Sequence, residues 1–334
     1  MQALLTRFLP DRFIMALLAT VALASVLPAQ GEVAHGLGIV TKLAIALLFF
    51  LYGSRLAPQA AIAGLKHWRL HGFVLLATFA AFPAVMLLLR ALVPSALSPD
   101  LWTGMIFLSV LPSTVQSSIA FTSIAGGNVP AALCAASASN LIGIVLTPLL
   151  AALLLTTQGQ AFSLGAIGDI VLQLLVPFLA GQLLRPWLGG FIARHKPVLG
   201  LVDRGSILLV VYAAFSEGVT EGIWTQISLD QLGALFAINA VLLAVMLVGS
   251  RQLARACGFS REDEITIVFC GSKKSLASGV PIAAILFGGQ QIGLVVLPVM
   301  LFHQLQLIVC AVMAKRYAAQ RTETDINSEA AARA

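Results

Sequence analysis

The sequence predicts an all-α polytopic membrane protein of ten transmembrane helices, arranged as two inverted five-helix repeats with the fourth and ninth helices broken. Three observations point there. The 334-residue chain is 59% hydrophobic and only 10% charged, with a mean hydropathy of +0.96, whereas a soluble domain carries about 25% charged residues. Ten apolar segments are each long enough to span a ~30 Å hydrocarbon layer. The two segments interrupted by clustered polar residues hold matching places in the two sets of five.

The approximate limits are 13–30, 38–57, 69–92, 100–124, 129–155, 165–189, 203–221, 230–250, 264–287 and 291–314. Connections are short, so residues 1–317 form a single transmembrane unit with repeats at about 13–155 and 165–314. Residues 318–334 form a polar cytoplasmic tail, either disordered or a frayed helix. An odd number of spans per repeat inverts the second one. Interrupted segments at corresponding positions are then the pointer to a transporter binding site.

The first segment follows Arg7 and Arg12, and Phe13–Leu27 has the form of a signal-peptide apolar region. Pro28 stands between Leu27 and Ala29, so no small-x-small cleavage site follows cleanly, and the segment is expected to remain as a span. Lysine and arginine orient the chain. Sixteen of the twenty fall in the loops on one side, with Arg90 alone in the opposite loops, where Glu32, Asp100, Glu217, Glu221 and Asp230 gather. Both termini are therefore expected in the cytoplasm of a bacterial-type inner membrane. These basic residues form no stripe, which argues against nucleic acid and leaves the lipid bilayer as the surrounding partner. Cys134, Cys257, Cys270 and Cys310 show no paired spacing, so neither a disulfide framework nor a zinc site is expected.

The fourth segment contains Leu111-Pro-Ser-Thr-Val-Gln-Ser-Ser118. Ser113, Thr114, Gln116, Ser117 and Ser118 are too many polar side chains for a lipid-facing turn. They build a substrate or ion site, or they join helices through small polar contacts. Gly126-Gly127-Asn128 reads as the turn into the fifth segment, with Asn128 as its cap. Within the fifth, Ser139 and Asn140 precede Thr147-Pro148. The Asn140 amide offers a donor and an acceptor, which suits an ion shell or an interhelical hydrogen bond. In the sixth, Pro177, Gly181 and Pro186 read as bending.

The ninth segment contains Phe269-Cys-Gly-Ser-Lys-Lys-Ser-Leu-Ala-Ser-Gly-Val-Pro281. At ~1.5 Å per residue, Lys273 and Lys274 lie roughly 12–14 Å beyond Ile265, near mid-membrane. A lysine there costs at least ~2.5–3.5 kcal/mol, and its reach of about 6 Å is too short to snorkel out. Gly271, Gly279 and Pro281 weaken the helix, and freed backbone at this depth survives only inside protein or along a cavity. No carboxylate is near in sequence. Buried lysines without one titrate or recruit an anion, with the Ser272 and Ser275 hydroxyls beside them. In the tenth segment His303, Gln304 and Gln306 face this site or bond a neighbouring helix.

The stretches Leu111–Pro148, Val176–Pro186 and Phe269–Pro281, with Phe49-Phe50, Phe82-Pro83 and His303, resemble the bile acid:sodium symporter family. They are most similar to its orphan "member seven"-like branch, which has vertebrate and bacterial members. The resemblance implies a panel and a core subdomain, with the fourth and ninth helices crossing at mid-membrane. In the bile-acid branch, polar residues of the fourth, fifth and ninth helices, including a glutamate, hold sodium. The corresponding site here lies near Ser117, Ser118, Ser139 and Asn140, so the implied cofactor is a sodium ion or none. Ser117-Ser118 stand where that branch has Ser-Asn, the glutamate position falls near Ser272, and two hydroxyl positions fall near Ala132 and Ala136. The shell is incomplete, and an ammonium stands where a cation would bind.

The expected function is secondary active transport of a small organic anion by alternating access, with or without a coupled sodium ion or proton. Thr114, Gln116, Ser117, Ser118 and Asn140 would line one side of the site, and Ser272, Lys273, Lys274, Ser275, His303 and Gln304 the other. Lys274 is the first choice for a charge that changes partner. The alternative is a non-transporting membrane regulator. An enzyme is disfavoured, since no metal-ligand cluster or Ser/His/Asp set lies within the spans.

Overall fold

The computed structural model describes residues 12–55, 67–156, 164–220, 222, 225, 227–287 and 292–333. Arg7 and Glu221, used above for orientation, lie outside them. Every regular element among the described residues is helical. In chain order these are α1 (Arg12–Val26), α2 (Gly31–Arg55), α3 (Trp68–Leu92), α4 (Pro99–Val110), α5 (Gln116–Ile124) and α6 (Val129–Thr156). Then follow α7 (Leu164–Arg194), α8 (Lys196–Thr220), α9 (Leu229–Ala256), α10 (Arg261–Gly271), α11 (Leu276–Leu286) and α12 (Ile292–Arg333).

Among the described residues, seven helical stretches are long and apolar enough to cross a membrane: Gly31–Arg55, Trp68–Leu92, Val129–Leu155, Val171–Ile192, Pro197–Thr220, Leu229–Ala256 and Ile292–Gln320. Three expected spans take another form. The first is the 15-residue α1. The fourth is α4 plus α5, separated by a non-helical stretch at Leu111–Val115. The ninth is α10 plus α11, separated at Ser272–Ser275. These half-helices have 12, 9, 11 and 11 residues, so each covers about half of a ~30 Å layer. Gly279 and Pro281 do not form the second break; both lie inside α11. Gly279 instead admits a close neighbour, since a Cβ there would lie 2.6 Å from Leu111 Cδ1. The tail continues α12 as helix through Arg333.

The caps follow local chemistry. Ser98, Ser228 and Ser260 accept from the N–H groups of Leu101, Gln231 and Asp263 at the starts of α4, α9 and α10. Glu262, Asp263 and Glu264 fill the first turn of α10, where the helix dipole favours negative charge. Gly126 (φ 75°) closes α5 in the left-handed conformation that only glycine adopts freely. Asn128 caps α6 as expected, its Oδ1 accepting from Ala131 N at 3.1 Å.

The chain divides into two compact units. One holds α1, α2, most of α7, α8, and the later part of α11 with the start of α12. Its helices α2 and α7 meet backbone to backbone: a Cβ on Gly53 would collide with the Phe178 carbonyl, and one on Gly181 with the Phe50 carbonyl. Small residues let membrane helices approach this closely, so Gly181 serves packing. Arg55 pairs with Asp203 in the same unit.

The other unit holds α3 to α6, α9, α10, the start of α11 and α12 from Leu297 onward. In α4 every residue from Leu101 to Val110 is buried, and in α10 every residue from Glu264 to Gly271. Apart from Glu264 and a few hydroxyls, these enclosed stretches are apolar on every side. Their interior includes Leu70, Val74, Ala131, Ala132, Ala135, Ile267 and Cys270. Both chain breaks lie in this unit.

Candidate functional site

Each break leaves carbonyl groups without intrahelical partners, and at this depth each must find a donor within the protein. The partners come largely from the other break. Ser113 Oγ donates to Cys270 O at 2.6 Å, and Ser118 Oγ to Phe269 O at 3.0 Å. In the reverse direction, Ser275 N donates to Pro112 O at 2.8 Å. Helix α6 supplies more: Thr147 Oγ1 donates to Val110 O at 2.8 Å and Asn140 Nδ2 to Ser113 O at 2.6 Å. Ser139 Oγ accepts from Ser113 N at 3.0 Å. Asn140 Oδ1 accepts from Ser278 Oγ at 2.7 Å, which ties α6 to α11. Ser272 Oγ donates back to Val268 O.

Gln306 on α12 clamps the second break. Its Oε1 accepts from Lys274 N, and its Nε2 donates to Lys274 O, both at 2.8 Å. The same Nε2 meets His303 Nδ1 at 2.8 Å. Since an amide nitrogen donates, Nδ1 is the acceptor there. Ser275 starts α11, its Oγ accepting from Ser278 N at 3.2 Å.

The two lysines are fully buried, at 0% and 1% exposure. The break sends them to different surroundings. Lys274 Nζ donates to three carbonyls, Thr78 O at 2.6 Å, Ser109 O at 2.6 Å and Leu111 O at 2.8 Å. Its charge also lies 4.1 Å from the Phe82 ring centroid. Lys273 Nζ donates to one oxygen, Ser117 Oγ, at 3.2 Å, and lies 4.5 Å from the Phe121 ring centroid and 5.9 Å from that of Phe269. No carboxylate pairs with either lysine among the described residues.

A directed hydrogen-bond chain leads from Lys273. Ser117 Oγ donates to Thr114 Oγ1 at 2.9 Å, and Thr114 Oγ1 and Ser118 Oγ lie 3.0 Å apart. The Ser118 hydrogen is used on Phe269 O, so Thr114 is the donor of that pair. The order is Lys273, Ser117, Thr114, Ser118, Phe269.

Of the expected site residues, Thr114, Ser117, Ser118, Asn140, Ser272, Lys273, Lys274, Ser275 and His303 meet around the two breaks. Gln116 is exposed at the start of α5, and the buried Nε2 of Gln304 makes none of these hydrogen bonds. Gln306, named from the sequence with His303 and Gln304, is the member of that group that grips the second break. Its spacing of three from His303 places both on one helix face, a signal readable from sequence. Thr78, Ser109 and Leu111 act through backbone carbonyls, which residue type does not reveal.

Residues 11–319 match the model of the SBF-like CPA transporter family. A Pseudomonas aeruginosa protein named "Uncharacterized protein PA2026" is 56% identical over 95% of this chain and 96% of its own length. The Escherichia coli protein named "Putative symporter YfeH" is 49% identical over 96% of this chain and 97% of its own length. A Danio rerio protein named "Sodium/bile acid cotransporter 7" is 29% identical over 93% of this chain and 94% of its own length. With the expected resemblance matched along nearly the whole length, the chain belongs to the SBF-like CPA transporter family.

Proposed function

We propose that the chain is a secondary active transporter of a small organic anion, working by alternating access in a bacterial-type inner membrane with both termini cytoplasmic. The ten-span inverted repeat, its panel and core subdomains, and the crossing of the two broken helices belong to this reading. So does the tail at 318–334.

The observation that carries it is Lys273. An ammonium group has three N–H donors, and this one, fully buried, has a single side-chain oxygen as partner and no carboxylate. A charge left this poorly matched in low dielectric is unfavourable for folding alone. It is suited to an anion that arrives, takes the two remaining N–H groups and leaves. The relatives' names support the class, since one is a bile acid cotransporter and bile acids are organic anions. Lys273 rather than Lys274 is the residue proposed to meet substrate, because the three hydrogens of Lys274 are already committed. Ser117 and Thr114 would turn their hydroxyls as the ammonium changes partner.

The oxygens near the expected sodium position are uncharged and already take part in hydrogen bonds, so this reading does not call on that ion. Ser118 Oγ is bonded to Phe269 O and Thr114, Ser139 Oγ to Ser113 N, and Asn140 Oδ1 to Ser278. No carboxylate joins them. Sodium coupling through this set is therefore left out of the reading.

Purified protein in sealed liposomes tests it. A panel of labelled organic anions is offered under sodium, pH and substrate gradients, each applied alone. Saturable, protein-dependent uptake or exchange of an anion is expected, with no requirement for sodium. Absence of flux under every gradient, from protein that is folded and reconstituted, would favour the membrane-regulator alternative.

A further inference from the structure

We infer that the Lys274 ammonium is a tethered monovalent cation. It permanently fills a carbonyl cage that would accept a free ammonium-type or alkali cation if the side chain were cut away.

The hydrogen count fixes the species. Three carbonyl oxygens lie at 2.6, 2.6 and 2.8 Å from Nζ. A neutral amine has two hydrogens and a lone pair that would face the third oxygen; only the ammonium offers three. The cage walls are backbone carbonyls with few other partners. Ser109 and Leu111 stand at the C-terminal end of α4, where carbonyls lack intrahelical donors and the dipole is negative. Thr78 lies in the π-turn Ala77–Ala81 of α3, a local widening that disturbs the normal carbonyl pairing. The Phe82 ring adds its negative face at 4.1 Å.

Such a set of uncharged oxygens resembles the carbonyl rings by which channels replace the hydration shell of a monovalent cation. With no carboxylate in the cage, fit and hydrogen-bond number decide the occupant, not ion pairing. Lys274 is also held by its own backbone. Gln306 grips its N–H and its C=O, so truncating the side chain leaves the break anchored. Beyond Cβ a lysine side chain is the equivalent of n-propylammonium, which defines the best replacement.

The consequence deepens the transport reading and rests on it: a built-in cation at this point removes the need for a dissociable one. The cage itself is tested without any flux measurement, so failure of one claim does not decide the other. Wild-type protein, Lys274→Ala and Lys274→Met are purified in detergent. Their thermal midpoints are compared in n-propylammonium, ammonium, sodium, potassium and N-methyl-D-glucamine chlorides at constant ionic strength, with 1-propanol as the neutral mimic.

The wild-type midpoint is expected to be indifferent to the choice of cation. Lys274→Ala should fall in N-methyl-D-glucamine and recover saturably in n-propylammonium, to a smaller extent in ammonium or an alkali cation, and not in 1-propanol. Lys274→Met, which fills the space without a charge, should fall and show no recovery. Should Lys274→Ala not survive extraction in sodium, extraction in n-propylammonium is the same test, and folded protein there supports the cage. An equal deficit of Lys274→Ala in every medium, failure to fold in all of them, or a Lys274→Met protein as stable as wild type would overturn the inference.

Discussion

Adjacent lysines at 273 and 274 should respond to the same substitution in opposite ways. Lys273→Met removes one charged hydrogen bond, about 1.5–3 kcal/mol, and a desolvated cation–π contact of about 2 kcal/mol. It also relieves a buried charge that costs about 2.5–3.5 kcal/mol. The net loss is between about 0 and 2.5 kcal/mol. Lys274→Met removes three such bonds, about 4.5–9 kcal/mol, with the same cation–π loss and the same relief, for a net loss of about 3–8.5 kcal/mol. The first variant should therefore fold close to wild type yet lose flux, and the second should be much less stable. Thermal or denaturant unfolding in detergent gives the stability ranking, and liposome flux gives the activity. Equal stability losses at the two positions, or normal flux in Lys273→Met, would refute the assignment of one lysine to substrate and the other to the fold.

Asn140→Asp should be at least as damaging as Asn140→Ala. The carboxylate would face the Ser113 and Ala136 carbonyls that now accept from Nδ2, and each buried bond lost costs about 1–3 kcal/mol; thermal midpoints of the two variants check the order. Gly53→Ala and Gly181→Ala should lose most folded protein, because each Cβ meets a backbone carbonyl that cannot swing aside, while Gly189→Ala, in open space on α7, should be neutral or slightly stabilising; size-exclusion yield after extraction separates them. At the start of α10, Glu264 is buried and faces Arg251, Arg255 and Arg261, which are half exposed. Glu264→Gln lets these arginines return to water, whereas Arg251→Ala with Arg255→Ala leaves the buried carboxylate only the longer Arg261 contact, so the double variant should be the less stable in urea unfolding.

The two breaks were legible because polar clusters at mid-membrane have few explanations. Leu111–Ser118 and Gly271–Ser275 each combine freed backbone with hydroxyls, and the freed carbonyls of one need the donors of the other. The Asn128 cap was readable from a Gly-Gly-Asn turn. Other features were hidden for physical reasons. The acceptors around Lys274 are carbonyls, and any residue type supplies a carbonyl, so the sequence favoured Lys274 as the mobile charge when its hydrogens are all taken. The π-turn at Ala77–Ala81 has no composition of its own. Gln116 was counted with its polar neighbours, but α5 begins at that residue, and successive helical side chains point about 100° apart. Pro281 suggested a break that α11 does not show, since the helix runs through it as its sixth residue.

Access to Ser117 tests the central claim most directly. With Cys134, Cys257, Cys270 and Cys310 replaced, a Ser117→Cys protein is reconstituted and treated with a membrane-impermeant thiol reagent, first from one face and then from the other. Modification from both faces, slowed by a transported anion, is expected of a site beside Lys273 that opens alternately. Modification from one face only, or from neither, in protein that still carries flux would contradict it.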